Sequence, residues 1–156
     1  MYSPLTLATK YIGYRINASN GKGHGIHSPF VFDFVEKVLN DKIAYAEYSE
    51  AERLRKKLLA DQTPVPMEDY GAGSTSGRAS KSVSQIAKVS AKSAKYAQLL
   101  FRIARFYRPH YILELGTSLG VSSAYLGLAD KTSAMVTGEG NYAVATIAKN
   151  NFDSLG

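Results

Sequence analysis

The stretch from Tyr111 to Asn141 constrains this chain more than any other part of it. Tyr111-Ile112-Leu113-Glu114-Leu115 is a short, mostly apolar run that ends on glycine, the pattern of a buried parallel strand. Gly116-Thr117-Ser118-Leu119-Gly120 reads as a tight turn, and Ser122 to Ala129 as a helix. Ala134 to Thr137 then suits a second strand, and Tyr142 to Phe152 a further helix with Ala145, Ile147 and Ala148 inward. Strands and helices in alternation predict an α/β sheet with right-handed crossovers.

The residues before this stretch read as mainly helical. A first helix is expected from about Pro4 to Ile16, with Leu5, Ala8 and Ile12 on one face. The glycine-rich loop Ser19 to Gly25 follows. Ser28-Pro29 predicts a second helix, serine as cap and proline at the first helical position, carrying Phe30, Val31, Phe34, Val35, Val38 and Leu39. A third runs from about Tyr45 to Ala60 with Ala51, Leu54, Leu58 and Leu59. Asp61 to Met67, with Pro64 and Pro66, is extended or loop. Ser82 or Ser84 is expected to cap a short helix through Val89. Ser93 is expected to cap a longer one striped by Tyr96, Leu99, Leu100, Ile103 and Tyr107 and stopped by Arg108-Pro109.

Two glycine loops compete as a cofactor turn. Asp69-Tyr70-Gly71-Ala72-Gly73-Ser74 has the better string, and Glu114 to Gly120 has the better context. A cofactor turn follows a buried strand and opens a helix, which brings backbone N–H groups close to the ligand. The first loop follows Pro64-Val65-Pro66-Met67, a poor central strand, and lysines rather than an acid lie downstream. The second follows Tyr111-Ile112-Leu113 and precedes a helix, and Glu139 stands nineteen positions after Gly120. A carboxylate there can accept hydrogen bonds from both hydroxyls of a ribose. Gly116 and Gly120 let the backbone turn and leave room for a ligand. Glu114 is placed to meet an amino group, directly or through water, and Thr117, Ser118 and Ser122 offer hydroxyl and backbone contacts. The spacing Gly-x-x-x-Gly departs from the dinucleotide fingerprint, since Ser118 takes the middle glycine position, and no Gly-Lys-Ser/Thr follows to make a P-loop.

Glu114-Leu115-Gly116-Thr117-Ser118-Leu119-Gly120-Val121-Ser122 resembles motif I of class I S-adenosylmethionine-dependent methyltransferases, in the form found in the catechol and caffeoyl-CoA O-methyltransferase branch. Ala97 to Arg105 is similar to the helix that leads into that strand, and Thr137-Gly138-Glu139-Gly140 resembles the second motif. The match covers about Tyr96 to Phe152. The earlier residues, Gly25-Ile26-His27-Ser28-Pro29-Phe30 among them, look like the N-terminal extension of bacterial members. The resemblance implies a Rossmann-like α/β fold: a helical extension over 1–68, a loop and short helix over 69–95, and a partial cofactor-binding domain over 96–156. It implies S-adenosylmethionine as cofactor, held by Glu114, Gly116, Thr117, Ser118, Gly120, Ser122 and Glu139, and O-methyl transfer to a small-molecule acceptor. It also implies a larger sheet of which these are the first two strands, so the chain is expected to be a truncated portion of a complete enzyme of on the order of 200 or more residues. A divalent metal belongs to some complete enzymes of that branch, and nothing here supports one.

Other function classes are narrowed by composition. The chain has 156 residues, no cysteine and a net charge of +6, which removes disulfide frameworks and zinc-thiolate sites. No leader pattern and no long apolar run is found, and a soluble cytoplasmic protein without membrane contact is expected. No acid lies between Asp69 and Glu114, while Arg78, Lys81, Lys88, Lys92, Lys95, Arg102, Arg105 and Arg108 do. A basic nucleic-acid-binding module is therefore the alternative reading, and a non-catalytic interaction remnant a third. An open sheet edge would favour a homo-oligomer. His24 and His27 lack a third ligand nearby and read as loop residues. Lys95 and Tyr96 either approach the cofactor or pack. No catalytic base is named.

Overall fold

The computed structural model describes residues 3–17, 28–67 and 80–155, with the backbone alone for 14–17. The glycine loops at 19–25 and 69–77, His24, His27 and the expected boundary at 68/69 lie outside the described residues. Among those described, the chain is α/β, with seven helices and two small two-stranded sheets. It divides into two compact units, Met1–Lys42 and Ile43–Gly156.

The first unit is helical. Helix α1 spans Pro4–Asn17. Its expected inward face is exposed at Leu5, Ala8 and Ile12. Helix α2 spans Pro29–Phe34, with Ser28 accepting a hydrogen bond from the Val31 N–H and Pro29 at the first position. It continues as a wider π-type turn over Val35–Leu39, closed by the Asn40 N–H on the Val35 carbonyl at 3.0 Å. The wider turn shifts the apolar stripe: Val38 is buried, while Phe30, Val31 and Leu39 are exposed.

The second unit opens with α3 (Glu47–Ala60), which buries Ala51, Leu54, Arg55 and Leu58 and leaves the expected Leu59 exposed. Strand β1 (Pro64–Pro66) pairs antiparallel with β2 (Ser80–Ser82), Val65 opposite Lys81. Two prolines without N–H groups suit this short pair and no longer ladder. Ser82 then caps α4 (Val83–Ser90): its hydroxyl accepts from the Gln85 N–H, and Gln85 accepts from the Ser82 N–H. Helix α5 (Ala94–Tyr107) ends at Arg108, whose left-handed φ of 45° precedes Pro109.

The expected stripe of α5 is rotated. Ala97, Phe101 and Ala104 are buried, whereas Tyr96 and Tyr107 are exposed. Large residues drew the stripe in sequence, but the side of α5 that packs inward carries two alanines and one phenylalanine. Phe101 stacks with Tyr45 and Tyr48, ring centroids 5.1 and 5.0 Å away, and Tyr48 meets Tyr125 at 5.9 Å. These rings join Leu54, Leu58, Val83, Leu119 and Val144 in the core.

Strand β3 (Tyr111–Leu115), α6 (Val121–Ala129) and β4 (Ala134–Gly138) follow, and β3 pairs with β4 in parallel, Glu114 beside Thr137. Helix α7 (Tyr142–Asp153) closes the unit, capped by Asn141 on the Val144 N–H and burying Val144 and Ala148. The strands are parallel as expected, but β3 is not buried on both faces. Ile112, Glu114, Met135 and Thr137 are half-buried, while Tyr111, Leu113, Leu115 and Val136 are largely exposed. Helices cover one face only among the described residues, which accounts for the alternation.

Candidate functional site

The turn between β3 and α6 is built from three residues in the left-handed region: Gly116 at φ 95°, Ser118 at 49° and Gly120 at 83°. Glycine reaches such angles without steric cost, and a β-carbon built on Gly116 meets no atom within 4 Å, so the space above it is open. On Gly120 a β-carbon would lie 2.6 Å from the Phe152 ring. There the glycine serves a close approach between the turn and α7. The N–H groups of Gly116 and Thr117 both donate to the Gly138 carbonyl, at 2.9 and 3.0 Å. This extends the ladder past the strands and pins the start of the turn to the end of β4.

Two carboxylates flank the turn. Glu139 accepts the Ser118 N–H at 2.8 Å on one oxygen and the Asn141 N–H at 2.9 Å on the other. It thus bridges the glycine turn and the start of α7. Glu114 faces the helix layer. It accepts the hydroxyls of Ser122 (2.6 Å), Thr137 (2.8 Å) and Ser123, and Thr137 in turn meets the Thr117 hydroxyl at 2.6 Å. Three hydroxyl donors make a half-buried carboxylate tolerable and fix its orientation.

The turn opens onto a cleft of about 290 Å³. Glu114, Gly116, Thr117, Ser118 and Ser122 line it from one side, and Ser90, Ala91, Lys92 and Leu100 from the other. The Ser118 hydroxyl donates to the Ser90 hydroxyl at 2.8 Å, which closes one end. Of the seven residues expected to hold a cofactor, Glu114, Gly116, Thr117, Ser118 and Ser122 line this cleft, whereas Gly120 and Glu139 do not, Glu139 meeting the turn through the Ser118 N–H. Lys95 is not on the cleft wall, and Tyr96 is exposed. Sequence reasoning missed Ser90, Lys92, Ser123, Thr137 and Asn141. Asn141 carried a signal, since it precedes a helix and is a cap residue. Ser90 carried none, because its partner stands 28 positions away.

Part of the basic run is engaged within the fold. Arg105 pairs with Glu47 at 3.7 Å and lies over the Tyr45 ring at 4.8 Å. Among the described residues no cluster of three His, Asp or Glu is placed to hold a metal, and no helix is long and apolar enough to cross a membrane. No protein-family model matches the chain, and neither a curated protein nor a solved structure does.

Proposed function

We propose that this chain binds S-adenosylmethionine at the β3–α6 turn, as the cofactor half of a Rossmann-like O-methyltransferase acting on a small molecule. One observation carries the reading. The Glu139 carboxylate sits on the N–H of Ser118, the place where a phosphate would otherwise bind. A negative charge there repels phosphates and favours a ligand with hydroxyls and a positive centre. Each carboxylate oxygen of Glu139 accepts one backbone N–H and keeps acceptor capacity for a ribose hydroxyl. Glu114 places a negative group on the cleft wall itself. The open space above Gly116 admits a ligand against the backbone.

Bound there, the cofactor supplies a methyl group already activated on a sulfonium. The residues of this chain bind and orient it: Glu139 takes the ribose, Gly116 and Gly120 shape the turn, and Ser118 and Ser122 fix the two carboxylates. Alignment and exclusion of water are the main demands of methyl transfer. The bare face of the β3–β4 pair supports the view that this sheet belongs to a wider one, because parallel sheets are ordinarily covered on both sides.

Calorimetry with S-adenosylhomocysteine and with ATP tests the reading. Saturable 1:1 heat is expected with the first and none with the second. Glu139→Ala is expected to weaken S-adenosylhomocysteine by about tenfold or more, since hydrogen bonds to a charged group contribute about 1.5–3 kcal/mol. Heat with ATP and none with S-adenosylhomocysteine overturns the proposal, as does absence of heat with both.

A further inference from the structure

The far wall of the cleft is the turn between α4 and α5, and a buried arginine holds it from behind. Arg55 of α3 is only 9% exposed. Its Nε donates to Glu52 at 2.9 Å, and its Nη1 donates to the main-chain carbonyl of Lys92. Glu52 also accepts the hydroxyl of Tyr125, from α6, at 2.6 Å. The guanidinium fork therefore fixes the turn to α3, and Glu52 fixes α3 to the helix that follows the glycine turn. Ser90, the last residue of α4 and the one that leads into this turn, donates its hydroxyl to the Ile86 carbonyl at 2.9 Å and accepts from Ser118 at 2.8 Å. A buried cation is costly unless it is paired and hydrogen-bonded; Arg55 is engaged through Nε and Nη1 while its Nη2 is buried without a hydrogen-bond partner among the described residues, so the contacts it does make are held against a desolvation cost.

We infer that Arg55 is a positioning residue that sets the Ser90–Lys92 wall against the glycine turn and so fixes the width of the ligand cleft. The inference rests on the binding reading above for its ligand, and on geometry alone for its wall. Lysine cannot replace arginine here: one ammonium does not reproduce a planar fork that reaches Glu52 and the Lys92 carbonyl together.

The absence of native cysteine allows a direct test. In a Ser90→Cys/Ser118→Cys chain the two thiols stand where hydroxyls now touch. Oxidised glutathione forms a mixed disulfide with one thiol and is displaced by the other, leaving as two molecules of reduced glutathione that carry the pair's two electrons and two protons, and the protein disulfide closes at a measurable rate. Arg55→Lys is expected to slow closure by about tenfold while keeping a cooperative thermal transition. Arg55→Gln is the second variant, neutral and free of an uncompensated buried cation. Val65→Ala is the packing control: this buried β1 side chain takes no part in the Arg55–Lys92 or Ser90–Ser118 contacts, so the variant loses stability but closes at the parent rate. Without the added cysteines, Arg55→Lys is expected to bind S-adenosylhomocysteine about tenfold more weakly than the parent chain. Closure at the parent rate in both Arg55 variants overturns the inference, as does equal slowing by Val65→Ala. Slowed closure with unchanged affinity overturns it as well. Failure of the cysteine-free parent chain to bind S-adenosylhomocysteine, with the Ser90→Cys/Ser118→Cys chain still closing the pair, refutes the cofactor reading and leaves the thiol comparison to decide the role of Arg55.

Discussion

At the residue scale the two glycines of the turn differ in what they protect. Both have positive φ, which costs an L-residue on the order of 1–2 kcal/mol. Only Gly120 also meets a neighbour, the Phe152 ring. Gly120→Ala is expected to lower stability more than Gly116→Ala. The excess should vanish when Phe152 is also alanine, a coupling that a denaturant double-mutant cycle reads directly. Gly116→Ala should instead act on binding, because its new methyl enters the open space above the turn. Ser118 holds a left-handed angle without being glycine. Its N–H on Glu139 and its hydroxyl on Ser90 offset that strain from both sides.

At the scale of elements, α3 and α6 are joined through Glu52 and Tyr125. Burial, and then the Glu52 carboxylate, push the Tyr125 hydroxyl above the ordinary tyrosine value of about 10. Its proton is therefore held more firmly folded than unfolded. The resulting stability is full below the unfolded value and is lost as pH rises from about 10 through the folded value. Melting followed against pH should show a steep alkaline fall that Tyr125→Phe flattens. Equal falls in both proteins would refute the link. Local chemistry made elements of this unit legible in sequence: a serine cap before α4 and a glycine turn after β3. The glycine turn and the two carboxylates beside it were legible for the same reason, since Glu114 to Glu139 is one continuous run. Helix faces were less so. In α5 the buried residues are Ala97, Phe101 and Ala104, and no pattern of large apolar side chains marks two alanines as the contact. Nothing in the sequence singles out Arg55, because its partner carbonyl lies 37 positions on.

At the scale of the molecule, the parallel pair presents a bare apolar band. Tyr111 is 83% exposed, Leu113 70%, Leu115 84% and Val136 65%. Self-association through this band or the neighbouring strand edge is expected as concentration rises. Light scattering should find masses above the 17.0 kDa of one chain, and Leu113→Lys should return them to the monomer without loss of melting temperature. A monomer at all concentrations would set the idea aside. The band also bears on the fate of the chain in a cell. Chaperones and proteases sort proteins by the apolar surface they expose. A folded unit that displays such a strip is handled as unfinished, and its lifetime is set by how soon something covers that side of the sheet.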